Sequence, residues 1–203
     1  QPVHLGGVVG SMDIFTKSDA TVAYSKIYNS TNHGAVTGGA ACNGTSYIGG
    51  VVGCSVNNNL GVEISSCTNN GAVSLTSTTV ALYIGGVCGY AISNGELGLV
   101  SEVKNYGGVT IKSGASATGE SNVGGLFGAC RSLPLADSYN KGTVHAEEGA
   151  KIANVNMGGI FGLNTYINGN KKGPTTNTTN DGEVKFGASN KDEKTANATR
   201  IGG

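Results

Sequence analysis

The sequence predicts an all-β fold, a parallel β-solenoid of about five coils with right-handed winding. Three observations predict it. A doubled glycine between apolar residues recurs six times: Leu5-Gly6-Gly7-Val8, Ile48-Gly49-Gly50-Val51, Ile84-Gly85-Gly86-Val87, Val123-Gly124-Gly125-Leu126, Met157-Gly158-Gly159-Ile160 and Ile201-Gly202-Gly203. Between successive copies stands Asn-x-Gly-x-Val, at Asn32/Gly34/Val36, Asn69/Gly71/Val73, Asn105/Gly107/Val109, Asn140/Gly142/Val144 and Asn180/Gly182/Val184. The second glycines of successive blocks are 43, 36, 39, 34 and 44 residues apart. Two elements alternating at a loose period of this size mark a repeat array. One unit cannot bury its apolar side alone, so neighbours must stack.

Each unit is expected to supply about three short strands: one through the Gly-Gly block, one leading into the Asn, one through the Val. Around the Gly-Gly block the flanking residues are aliphatic, and a glycine there allows a tight corner or close approach of a neighbouring coil. Five residues before the Asn stand Ile27, Ile64, Val100, Leu135 and Thr175, and two before it Ser30, Cys67, Val103, Ser138 and Thr178. Two residues after the Val stand Gly38, Leu75, Ile111, Ala146 and Phe186. Apolar or small columns at period two, in runs this short, read as strand. No segment carries apolar residues at helical spacing with caps, and 35 glycines with abundant Asn, Ser and Thr oppose helix.

Stacked equivalents give parallel sheets with coils about 4.8 Å apart. The crossover rule favours right-handed winding. The structural residues of the repeat are therefore Gly7, Gly50, Gly86, Gly125 and Gly159, with Asn32, Asn69, Asn105, Asn140 and Asn180 and with Gly34, Gly71, Gly107, Gly142 and Gly182. The asparagines serve one of two ends. Each turns a corner by bonding its own backbone, or all point inward and form an amide ladder from coil to coil. Variation in period is expected in corner loops over residues 11–25, 55–60 and 162–176, where Tyr24, Tyr28 and Tyr166 offer contact area.

These motifs carry a resemblance. Gly6-Gly7-Val8-Val9-Gly10 and Gly124-Gly125-Leu126-Phe127-Gly128, alternating with Tyr139-Asn140-Lys141-Gly142-Thr143-Val144, resemble the GLUG repeat. That repeat occurs in large bacterial surface proteins, adhesin-like ones among them, and in N-terminal regions of some immunoglobulin A peptidases. The resemblance spans nearly the whole chain. It implies a secreted or surface-attached β-helical array without catalytic residues. The period here is longer than the usual GLUG spacing, and the last repeat, with Pro174 and its Asn-Thr run, departs from the pattern.

Composition bounds the function. Thirteen basic and thirteen acidic residues balance to zero, and the only arginines are Arg131 and Arg200. With no basic stripe, nucleic-acid binding is not expected, and no apolar run approaches the roughly 20 residues that span a bilayer. Residues 1–203 read as a single array. The chain opens on one Gly-Gly block and stops inside another, which is expected of a portion of a longer surface protein. The resemblance and the Asn/Thr/Gly bias place it outside the cell. Four Asn-x-Ser/Thr sequons, at Asn29, Asn43, Asn177 and Asn197, would matter only in a eukaryotic secretory setting.

The five cysteines, Cys42, Cys54, Cys67, Cys88 and Cys130, fall in different columns, so no disulfide ladder follows. Cys67 replaces small residues in an inward column and reads as a buried hydrophobe. A Cys42–Cys54 loop bridge stays open, and Cys-x-x-Cys metal spacing is absent. His4, His33 and His145 occupy no shared column and read as surface residues.

Glycosidase chemistry needs two carboxylates facing one cleft. Glu147-Glu148 and Asp192-Glu193 are adjacent and would face opposite sides of a strand. Glu102 and Asp137 share a column three residues before the Asn, but Asn29, Ser66 and Asn177 complete it as a polar face. Gly-Gly-Val-Val-Gly lacks the Lys-Ser/Thr of a phosphate loop. The column after the Val, Thr37, Ser74, Thr110, His145 and Lys185, is not the uniform threonine face of an ice-binding solenoid.

No catalytic residue, cofactor or metal is therefore expected. The expected function is a non-catalytic structural or adhesive segment. The alternatives are a carbohydrate-active β-helix enzyme and a non-catalytic segment of a secreted peptidase. The expected partners are cell-surface glycans or proteins, or further copies stacked end to end.

Overall fold

The computed structural model describes residues 1–13, 24–39, 41–57, 61–93, 98–165, 175–188 and 200–202. Tyr166, Pro174, Asp192, Glu193, Asn197, Gly203 and the side chain of Tyr24 lie outside the described residues. The described residues contain only strands, turns and bends, and every strand pair is parallel. Among them no helix is long and apolar enough to cross a membrane.

The second coil shows the circuit. Thr45–Gly49 runs into the Gly-Gly turn, and Val52–Asn57 leaves it. Gly61–Ser65 leads toward Thr68–Asn69, the chain turns into Val73–Leu75, and a short strand, Thr78–Thr79, returns it to Ala81–Gly85. Each full coil thus spends up to six short strands where the sequence predicts three. The Gly-Gly block is a corner between two strands, not the middle of one.

Stacking these strands gives six sheets. The pre-glycine sheet has six strands, the short sheet three, and the post-glycine, lead-in, asparagine and valine sheets five each. Five stacked strands enclose four steps, so the solenoid amounts to about four turns against the five expected.

Register follows the sequence columns. Val36, Val73, Val109, Val144 and Val184 stack directly. Ile27, Ile64, Val100, Leu135 and Thr175 do the same in the lead-in sheet. Parts of the expected loops are strands: Val9–Asp13, Tyr24–Tyr28, Val52–Asn57 and Phe161–Thr165 each take residues assigned to corners. These segments lack strict alternation, but parallel pairing, on both sides for Val52–Asn57 and on one side for the other three, which end their sheets, fixes their backbone hydrogen bonds without needing it.

The interior is two cores, not one. One joins Ile48, Leu75, Leu82, Ile84, Ile111 and Ile152 between the pre-glycine, valine and short sheets. The other joins Val52, Ile64, Cys88, Val100, Phe127 and Leu135 between the post-glycine and lead-in sheets. Between them the section is pinched where the second glycines meet the asparagines. A Cβ on Gly86 would run into the Gly125 carbonyl and the Asn105 side-chain amide, and equivalent glycines repeat the contact. None of the repeat glycines has positive φ; close approach is the reason for glycine at all of them except Gly34, which in the first coil meets only Asn32 Oδ1 at 3.7 Å.

Both alternatives for the asparagines hold at once. Asn105 Nδ2 donates to Asn140 Oδ1 one coil on and to its own Gly107 carbonyl, both at 2.8 Å. Asn32, Asn69 and Asn140 repeat the arrangement. Asn69, Asn105 and Asn140 are wholly buried. The left-handed corner lies three residues earlier, where Asn29, Ser66, Glu102, Asp137 and Asn177 all have φ between 44° and 54°. Asn tolerates this conformation, while for Glu and Ser it is uncommon. The stacked corner imposes it on all five residues.

The cysteines are free, so the Cys42–Cys54 bridge does not form. Cys42 Sγ instead sits against the first residue, donating to the Gln1 carbonyl and accepting from Gly44 N–H. Cys54 stacks on Tyr90 in the post-glycine sheet. Cys67 is fully buried in the second core, as its column predicts.

Candidate functional site

The pre-glycine and post-glycine sheets diverge from the Gly-Gly corner like the arms of a V. At the apex they touch backbone to backbone. A Cβ on Gly89 would stand 2.6 Å from the Ile48 nitrogen and 2.9 Å from the Tyr83 carbonyl oxygen. Alternation along each strand sends Ile84 and Leu82 inward to the first core, and Tyr83 outward into the V. The result is a groove parallel to the solenoid axis.

Its first wall is the column His4, Tyr47, Tyr83, Asn122, Asn156. Its second wall carries Ser11, Cys54, Tyr90, Ala129, Leu163, and beyond that Val56, Ile92, Arg131, Thr165. Tyr47 and Tyr83 stack with ring centroids 5.2 Å apart. Tyr90 reaches across from the opposite wall, 5.2 Å from Tyr83 and 5.6 Å from Tyr47. His4 meets Tyr47 edge-on at 5.1 Å. Arg131 lies over Tyr90, its Cζ 5.7 Å from the ring centre. The three half-buried tyrosines make an aromatic ledge from side chains far apart in sequence.

Polar groups frame the ledge. Tyr83 Oη donates to Glu120 Oε2 at 3.4 Å, and Asn122 Nδ2 donates to Glu120 Oε1 at 2.8 Å. Asn156 Nδ2 donates to Asn122 Oδ1 at 2.9 Å, a second and shorter amide ladder. Burial, with Glu120 and Tyr47 nearby, pushes the Tyr83 phenol up to about 12. Burial raises Tyr47 and Tyr90 as well, while the Arg131 charge pulls against it on all three rings. The phenols are thus neutral hydroxyls over the physiological range.

Above the ledge both walls lose bulk, from Tyr83 to Asn122 and Asn156 on one side and from Tyr90 to Ala129 on the other. A cavity of about 490 Å³ opens at the last full coil, lined by Asn156, Gly158, Gly162, Leu163 and Gly202 among others.

The carboxylates singled out in the sequence take other places. Ser66 Oγ donates to Glu102 Oε2 at 2.8 Å, and Asn177 Nδ2 donates to Asp137 Oδ1. Glu102 thus leans toward the coil below and Asp137 toward the coil above, so the two do not converge on one cleft. Glu147 pairs with Lys112 at 2.8 Å and accepts from the Ser113 N–H. His33 lies at 3.3 Å from Asn70 on the exposed surface, and His145 stacks between Thr110 and Lys185. No group of three or more His, Cys, Asp or Glu among the described residues is placed to hold a metal ion.

The groove residues escaped the sequence reading, which looked for contact area at Tyr24, Tyr28 and Tyr166. Tyr28 is exposed but isolated from the ledge. The signal present was the column two residues before the first glycine, His4/Tyr47/Tyr83/Asn122/Asn156. It carries large or polar side chains where its neighbours on either side carry small or aliphatic ones.

No family model, curated protein or solved structure matches the chain.

Proposed function

We propose that this chain is a non-catalytic, adhesive segment of a secreted or cell-surface protein, of the kind the GLUG-like motifs suggest. In this reading the two cores and the asparagine ladder make a stiff rod, and the tyrosine groove is its contact surface. The observation that carries the reading is the Tyr47–Tyr83–Tyr90 ledge. Three half-buried rings gathered on an outer face, with a carboxylate, two amides and a guanidinium around them, suit binding of a ligand with both apolar and hydroxyl faces. A repeat array does not need such a cluster for its own stacking, which the aliphatic columns and Asn residues already provide.

The test is binding of the intact chain to immobilised polysaccharides and extracellular proteins, with a reducing-end assay run on the same polysaccharides. Saturable binding that falls at least tenfold in Tyr83→Ala and Tyr90→Ala, without turnover, supports the reading. Turnover of any polysaccharide, or binding that ignores both substitutions while circular dichroism shows the fold intact, overturns it.

A further inference from the structure

We propose that the groove recognises a carboxylate-bearing saccharide, whose acid group is held by Arg131 at the upper end of the tyrosine ledge. This rests on the groove being the contact surface and names the ligand class it takes.

Arg131 is the starting point. Among the described residues no carboxylate comes within ion-pair distance of its guanidinium, whereas Lys26, Lys112 and Lys185 each pair with a glutamate. Arg131 is also partly withdrawn from water, and its Nε is buried without a hydrogen-bond partner. The Tyr90 face offsets part of the desolvation of the cation, but a ring supplies no acceptor in the plane of the guanidinium fork. A carboxylate does, in the two-pronged geometry that distinguishes arginine from lysine, here across the two terminal nitrogens, since Nε is closed off from the groove. Glu120 does not fill this role. No ion pair joins it to Arg131; its oxygens turn instead to Tyr83 Oη and Asn122 Nδ2, each keeping a lone pair for a further donor.

The rest of the groove selects for a sugar over an acidic peptide. The strands of both walls bond to coils above and below, so they present no open backbone edge along the groove. An extended peptide therefore cannot add to either wall as a strand. Recognition is left to side chains: phenols and amides repeated at the coil spacing of about 4.8 Å, with the single Glu120 carboxylate beside them. Sugar hydroxyls donate and accept at once, which suits Glu120, Asn122 and Asn156 in turn. The apolar faces of a pyranose suit the ring ledge, and the cavity above it, about 490 Å³, leaves room for the chain to continue.

The experiment compares polygalacturonate with the same polymer fully methyl-esterified, by calorimetric titration against the intact chain, with polysialic acid as a second acidic polymer and poly-L-glutamate as the peptide control. The expected result is that at least one acidic polysaccharide binds tenfold or more tighter than the esterified polymer. Arg131→Gln should remove that preference, and raising salt from about 0.05 to 0.5 M should weaken it. The free-acid against ester comparison needs no variant, so it stands even if Arg131→Gln is unstable. Equal binding of acid and ester overturns the carboxylate assignment while leaving the groove as a contact surface. Poly-L-glutamate binding as tightly as the polysaccharides, with the same dependence on Arg131, overturns the saccharide assignment. Failure of both acidic polysaccharides to bind overturns the inference, and the wider binding panel then decides the groove separately.

Discussion

Asn105 Nδ2 donates to Asn140 Oδ1 at 2.8 Å, and Asn105 Oδ1 accepts from Asn69 Nδ2 at the same distance. Each interior amide is therefore both acceptor from the coil below and donor to the coil above, and it also closes its own turn through the glycine two residues on. The ladder has a direction, with every Nδ2 aimed toward the C-terminal coil. A one-residue slip of any coil would break two links at once. The amides thus fix register where aliphatic columns alone would tolerate sliding.

Asn105→Ala should be among the most damaging polar substitutions. It deletes the donor to Asn140 Oδ1 and to the Gly107 carbonyl, and it strands the Asn69 amide in a fully buried site. Unmet buried partners cost about 1–3 kcal/mol each, so the loss should reach about 3–5 kcal/mol. Asn180→Ala, at a partly exposed end of the ladder, should cost about 1 kcal/mol. Urea unfolding of both variants checks the ratio, and equal costs would mean that the ladder is not cooperative.

Gly86→Ala and Gly108→Ala separate close approach from turn flexibility. A methyl at Gly86 meets the Gly125 carbonyl and the Asn105 amide, neither of which can move without opening the pinch. A methyl at Gly108 meets only the Thr143 carbonyl oxygen at 3.7 Å, an ordinary contact. Gly86→Ala should lower stability by several kcal/mol or abolish folding. Gly108→Ala should stay within about 0.5 kcal/mol of the parent. Thermal melts of the pair read this directly.

Much of this architecture was legible in the residues. The valine and lead-in columns stack as their spacing predicts, because an inward position in a repeat admits only small or aliphatic side chains. The asparagines could be placed, but not their double bonding, which needs the second glycine of the same coil at contact distance. The left-handed corner at Asn29, Ser66, Glu102, Asp137 and Asn177 was hidden because stacking overrides the preference of each residue. The groove was hidden for a different reason. Tyr83 and Tyr90 meet only because Gly85 and Gly89 let two sheets converge, and sequence columns say nothing about which faces of different sheets oppose each other.

Ile84→Asp and Val109→Asp put a carboxylate into the first core, where both residues are wholly buried. Without a partner, such a charge should cost several kcal/mol even after its proton affinity rises. Thr118→Asp, at an exposed corner, should be nearly silent. Lys112, at an exposed turn, pairs with Glu147. Lys112→Asp, which sets a second carboxylate beside Glu147, should therefore lower stability slightly, by far less than either core substitution. Melting temperatures ordered any other way would contradict the inward and outward assignments.

The buried thiols should weaken the fold at alkaline pH. Burial pushes Cys130 from 9.0 up to about 12, and burial with neighbouring thiols holds Cys88 well above 9.0. Tyr83 moves in the same sense, from 10.0 to about 12. In each case the folded chain holds its proton to higher pH than the unfolded chain. The stabilisation is therefore complete below about pH 9 and is lost as pH rises toward 12. Across that window each fully ionising group should steepen the loss by about 1.4 kcal/mol per pH unit. Native protein at pH 8 should leave Cys88 and Cys130 unreactive toward a thiol reagent such as dithionitrobenzoate, with both labelled once urea opens the cores. Cys130→Ala should flatten the fall in stability between pH 9 and 12 relative to the parent. Rapid native labelling of either thiol, or an unchanged alkaline slope in Cys130→Ala, would show that these side chains are not sealed in the second core.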